Sequence, residues 1–216
     1  MDYAYLGHTD VKVSRICLGT MTFGEQNTEA EGHEQLDYAL DHEVNFIDTA
    51  EMYAVPGRKE TQGKTEEIIG TWIQKRKNRS SFILASKVVG PTEMTWIREK
   101  AGFKKEQIRE AIEGSLRRLQ TDYIDLYQLH WPERPTTMFG VRNYPAHKSD
   151  RWKDNFQDVL TTMQALVEEG KIRYFGLSNE TPWGTMRCLQ LSEKFDLPRC
   201  VSIQNPYNLL NRHYEV

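Results

Sequence analysis

From residue 15 onward, short β-rich apolar runs alternate with longer stretches of helical spacing, and this alternation constrains the architecture more than any single motif. The short runs are RICLGT at 15–20, NFID at 45–48, FILASK at 82–87, YIDLYQLH at 123–130, IRYFGLS at 172–178 and CVSIQ at 200–204. Between them apolar residues recur every three or four positions. The first helix carries Leu36, Ala39 and Leu40, and the second, from about Lys64, carries Ile68, Ile69, Trp72 and Ile73. The third, from about Lys105, presents Ile108, Ile112, Ser115, Leu116 and Leu119. The fourth has Val159, Leu160, Met163, Leu166 and Val167 and stops at Gly170; the fifth has Met186, Leu189 and Leu191 and ends before Pro198. Strand and helix repeated in this way require parallel strands joined by right-handed crossovers. Ahead of them YAYLG and VKVS, separated by a turn at His8 to Asp10, read as a β-hairpin.

An open doubly wound sheet and a barrel both satisfy that pattern. The first needs a glycine-rich turn after its opening strand to hold a pyrophosphate, and GTMTFG at 19–24 lacks the G-x-G-x-x-G spacing. The long non-periodic segments, at about 88–103 and 131–154, follow the third and fourth strands. In a TIM-type (α/β)8 barrel such strand-to-helix junctions build the active face. The expected fold is therefore one α/β barrel domain over 1–216, incomplete, with about six βα units after the hairpin.

Composition removes several function classes. Twenty-eight basic and 31 acidic residues give a net charge of −3, and the longest basic block, KRKNR, does not make a nucleic-acid footprint. There is neither a cationic start followed by an apolar run nor an apolar segment of membrane-spanning length, so a cytoplasmic location is expected. Cys17, Cys188 and Cys200 are far apart and read as buried reduced thiols. The histidines show no metal-ligand spacing, and no metal site is expected.

The strand ends converge on one mouth if the barrel is right. They are Gly19 and Thr20, Asp48, Lys87, His130, Ser178 and Asn179, and Gln204. Ending a core strand on Asp48 is costly unless a cation pairs with it, and Lys87 on the next strand is the available partner. Tyr53, five residues beyond Asp48, can lean back over the pair. An adjacent ammonium would stabilise tyrosinate and lower the phenol's pKa from near 10. Tyr53 then reads as a general acid, and His130 as a donor that orients a substrate oxygen. Ser178, Asn179 and Gln204 suit a carboxamide, and Trp131 an apolar wall. The set fits carbonyl reduction by a nicotinamide. The segment 131–154, with Arg134, Phe139, Arg142, Tyr144 and Trp152, reads either as a substrate loop or as a surface excursion packed by its own aromatics.

GTMTFG, DTAEMY, ASK, TDYIDLYQLHWP, IRYFGLSNET and IQNPYNLLNR together resemble the aldo-keto reductase superfamily, most closely its bacterial Tas-type branch, over nearly the whole chain. The resemblance implies NADPH-dependent reduction of a small-molecule aldehyde or ketone by a tetrad of Asp48, Tyr53, Lys87 and His130. It also implies that Ser178, Asn179 and Gln204 hold the nicotinamide carboxamide, with Gly19, Thr20 and Met21 near the cofactor. Family members continue through two further strands that supply the grip on the cofactor phosphates. A truncated chain or one part of a split barrel is therefore expected. A non-catalytic interaction subunit on the same scaffold, as in the potassium-channel β-subunits that resemble this family, is the alternative.

Overall fold

The computed structural model describes residues 1–139 and 152–212. β1 (Tyr3–Tyr5) and β2 (Lys12–Ser14) form an antiparallel hairpin. Then follow β3 (Leu18–Gly19), α1 (Glu29–Asp41), β4 (Phe46–Asp48), α2 (Lys64–Arg76), β5 (Ile83–Val88) and α3 (Lys105–Leu119). The remaining elements are β6 (Ile124–Leu129), α4 (Phe156–Glu168), β7 (Ile172–Ser178), α5 (Pro182–Phe195) and β8 (Ile203–Gln204). β3 to β8 lie side by side in chain order, and every pairing between them is parallel. The sheet is the curled wall of an incomplete (α/β)8 barrel, as the strand–helix alternation predicts.

Local chemistry fixes the helix ends. Thr28 and Glu31 cap α1 reciprocally, the Glu31 carboxylate accepting from the Thr28 N–H at 2.8 Å. α5 starts with Thr181 as cap and Pro182 in the first turn, where a missing N–H costs nothing. α4 gives way to Gly170, which adopts φ 73°, a left-handed conformation that glycine takes without a Cβ penalty.

The core lies between the outer face of the sheet and the helices. Ile47, Leu84, Tyr127 and Phe175 meet Ile68, Ile69, Trp72, Ile108, Ile112, Leu160 and Met163 in one cluster. Three sequence expectations need correction. Val167 is exposed on α4. On α5 the buried residues are Gly184, Cys188, Leu191 and Ser192, while Met186 is 55% exposed. Leu191 is buried as the pattern expects, while the rest of that stripe is built of small and weakly polar residues that an apolar pattern does not mark. Cys17 is also exposed, beside β3, whereas Cys188 is buried; all three thiols are free.

α2 approaches the end of α3 closely at Gly70, where an added Cβ would run into the Arg118 carbonyl oxygen and the Leu119 backbone. Neither backbone group can rotate away. Gly70→Ala should therefore destabilise the fold by about 1–3 kcal/mol, read as a lower midpoint in urea unfolding; an unchanged midpoint would mean that the two helices separate freely.

Candidate active site

Strand register decides which side chains share the inner face. Gly19 lies opposite Asp48, Asp48 opposite Ala85, Lys87 opposite Gln128, and Ser178 opposite Gln204. Successive side chains alternate between faces, so Asp48, Lys87, Gln128 and His130 project inward together. Ser86, between them, turns outward and donates to Glu66 of α2 at 2.6 Å.

The inner set is knit by short hydrogen bonds. Lys87 Nζ donates to Asp48 Oδ2 at 2.6 Å and to the Thr49 carbonyl at 2.7 Å. Gln128 Nε2 donates to the other Asp48 oxygen at 3.1 Å. Lys87 is 1% exposed and Asp48 6%, a burial that neither charge tolerates alone. The pairing foreseen from Asp48 at a strand end is thus present.

Tyr53 reaches the pair on the loop after β4. Its N–H donates to the Ala50 carbonyl at 3.1 Å, its carbonyl accepts from Gly63 at 2.7 Å, and Val55 N–H donates to the Met21 carbonyl at 2.8 Å. Lys87 Nζ stands 5.0 Å from the centroid of the Tyr53 ring. The His130 ring lies edge-on to the phenol with centroids 5.7 Å apart. Asp48, Tyr53, Lys87 and His130 therefore meet at one mouth.

The electrostatics differ from the sequence expectation in one respect. Burial is the largest influence on Tyr53 and raises its pKa above the ordinary tyrosine value; the Lys87 charge and hydrogen bond pull downward without winning, and Asp48 adds to the rise. The phenol is therefore protonated at neutral pH. Burial, and then the Lys87 charge, push the His130 pKa well below its ordinary value. Its ring is neutral there, and its buried Nδ1 has no hydrogen-bond partner among the described residues.

The remaining expected residues flank this centre. Thr20 Oγ1 donates to the Asp48 carbonyl at 2.9 Å, and Met21 is half exposed. Asn179 Nδ2 donates to the His130 carbonyl at 2.9 Å and to Ser178 Oγ at 3.1 Å. The Asn179 N–H donates to the Gln204 carbonyl at 2.9 Å. Trp131 is buried, its indole N–H donating to the Pro91 carbonyl at 3.0 Å. It walls an open cleft of about 480 Å³ that Tyr53 and His130 also line, with Met21, Met52, Met94, Met138 and Phe139 around it.

In the 131–154 segment, Trp131 packs edge-on to Phe139, while Trp152 packs on Phe156 and Trp183 of the flanking helices. Arg142 and Tyr144 lie outside the described residues. Sequence reasoning missed Gln128, although it sits two residues before His130 and so on the same face. It also missed Glu51 and Arg98, whose carboxylate and guanidinium pair near the mouth at 2.7 Å; separated by 47 positions, they left no signal in one sequence.

A parallel barrel wall with an acid, a phenol, an ammonium and an imidazole at the carboxyl ends of its strands defines the class of scaffold, since barrel enzymes work from that face. The sequence model of the Aldo/keto reductase family matches residues 15–216, and the chain belongs to that family. Protein tas of Escherichia coli (strain K12) is 52% identical over 223 residues, a match covering 100% of this chain and 63% of that protein. The uncharacterized oxidoreductase YrpG of Bacillus subtilis (strain 168) is 35% identical over 225 residues, covering 100% of this chain and 61% of that one. The crystal structure of the thermostable aldo-keto reductase Tm1743 with the inhibitor epalrestat superposes with a TM-score of 0.74 at 29% identity, over 100% of this chain and 66% of that one. The chain thus spans 63% of the length of its E. coli relative.

Lys87→Met leaves Asp48 buried with Gln128 and without its cation, a loss expected to cost about 3–5 kcal/mol of stability. Adding Asp48→Asn should recover part of that loss in chemical denaturation. Strictly additive effects would show that the two charges do not depend on each other.

Proposed function

We propose that the chain carries the reaction centre of an oxidoreductase that reduces an aldehyde or ketone with NADPH, Tyr53 acting as the proton donor. The observation that supports this most directly is the approach of Lys87 Nζ to the Tyr53 ring, at 5.0 Å, with Asp48 holding the ammonium from behind at 2.6 Å. A phenol that stays protonated at neutral pH can give its proton to a carbonyl oxygen. The ammonium beside it stabilises the tyrosinate left behind. His130, neutral, can donate a hydrogen bond that orients the same oxygen.

NADPH, when bound, supplies the hydride. The residues suited to holding it are those at the ends of β3, β7 and β8. A Cβ built at Gly19 meets nothing within 4 Å, so the backbone there leaves open space. Ser178, Asn179 and the exposed Gln204 offer hydroxyl and amide groups to the nicotinamide carboxamide, and Thr20 and Met21 lie at its side. The preference for NADPH follows the family. The cleft has no charged side chain among its described lining residues, so a neutral, apolar carbonyl compound suits it best.

Two measurements test the reading. In NADPH oxidation with para-nitrobenzaldehyde by a full-length version that carries the two further strands, Tyr53→Phe should lower kcat by about a hundredfold or more while NADPH fluorescence titration is unchanged; undiminished turnover would eliminate Tyr53 as the acid. The pH profile gives a second check. The donor must be protonated, and its pKa lies above the ordinary value, so the reduction rate should hold through neutral pH and fall only above about pH 10. A loss centred near neutrality would assign the proton to another group.

A further inference from the structure

Two residues before Tyr53 the loop places a carboxylate that the reaction centre does not use. Glu51 is 1% exposed. Its N–H donates to the Lys87 carbonyl at 3.2 Å, and its Oε1 accepts from the Val89 N–H at 2.7 Å. Backbone and side chain of one residue thus grip β5 on both sides of Val88, immediately past Lys87. Gln62 Nε2 holds the Glu51 carbonyl at 2.6 Å from the other end of the loop.

The carboxylate is neutralised by Arg98 through two contacts, Nη2 to Oε2 at 2.7 Å and Nη1 to Oε1 at 3.2 Å. A forked guanidinium–carboxylate contact fixes orientation as well as distance. Arg98 belongs to the loop after β5, and Val89 begins that loop. Glu51 therefore ties down both ends of the segment whose Pro91, Thr92 and Met94 line the cleft. Met52, the neighbour of Glu51 in sequence, lines it from the opposite loop.

We propose that Glu51 and Arg98 form a positioning clamp that sets Tyr53 against Lys87 and fixes one wall of the substrate cleft. The positioning part rests on the reading of Tyr53 as the acid; the effect on the cleft wall does not. An ion pair that only added stability would leave the shape of the cleft unchanged once the protein had folded.

The test is carbon-13 NMR of the chain labelled at its methionine methyls, assigned by single Met→Leu substitutions. Met52 and Met94 report on the cleft, and Met163, fully buried in α4, is the internal control. In Glu51→Gln the Met52 and Met94 signals should shift and broaden while Met163 holds. The kcat/KM for para-nitrobenzaldehyde should fall by about a hundredfold, the scale expected for a misplacement near 1 Å. Arg98→Lys keeps the charge and loses the fork; it should move the same two signals by less, and it decides the matter if Glu51→Gln does not fold. Unmoved Met52 and Met94 signals, or a Met163 signal that moves as far as they do, would overturn the clamp. The methyl readout needs no turnover, so it judges the clamp even if Tyr53→Phe refutes the proposed chemistry.

Discussion

The contact on which the site depends is the buried pair of Asp48 and Lys87, with Nζ and Oδ2 2.6 Å apart. Each charge, taken alone into the mouth of a barrel, would be strongly unfavourable. Together, with Gln128 on the second carboxylate oxygen and the Thr49 carbonyl on the ammonium, they are largely satisfied. The pair makes Lys87 a fixed positive charge beside the phenol; that charge opposes the rise in the Tyr53 pKa that burial causes, while Asp48 adds to it. The same charge helps to keep His130 neutral. One ion pair thereby influences the protonation of two neighbours.

Outside the sheet, buried carboxylates are handled in a related way, with arginines as partners. Glu66 on α2 accepts from Ser86 of β5 at 2.6 Å and from Arg118 of α3 at 2.7 Å. Asp125 on β6 accepts from Arg79 at 2.6 Å, from Arg173 of β7 at 3.0 Å and from the Leu84 N–H of β5 at 3.0 Å. Arg134 pairs with Glu180 and lies 4.8 Å from the centroid of the Trp183 ring. Each of these groups links elements distant in sequence. Glu66 joins α2 and α3 to β5, and Asp125 joins β6 to β5 and β7, which holds the sheet from which the inner face projects.

Much of this was legible in the sequence because period and position carry physical meaning. The strands at 82–87 and 172–178 were readable from their β-branched and apolar runs. α2 and α3 were readable from Ile68, Ile69, Trp72, Ile108 and Ile112, all of which are buried. Asp48, Lys87 and His130 stood out because a polar residue closing an apolar strand needs a reason. The face of α5 was read correctly at Leu191 and wrongly at Met186, because its packing stripe also uses Gly184 and Ser192, which no hydrophobic pattern marks. The direction of the Tyr53 shift was misread because a neighbouring charge is visible in sequence and the depth of burial is not. The Glu51–Arg98 pair was invisible for a similar reason: its partners come together only when two loops fold over the mouth.

The strict alternation of faces along β5 has a further consequence. Lys87 looks into the mouth and Ser86 and Val88 look out, so sliding β5 by one residue against β4 or β6 would replace the ammonium with a hydroxyl or an isopropyl group and drive a cation among the helices. Chemistry and correct strand alignment are thus inseparable in this chain. A molecule that has settled into a shifted pairing loses the Asp48–Lys87 contact outright, so that one contact reports on the alignment of the whole sheet.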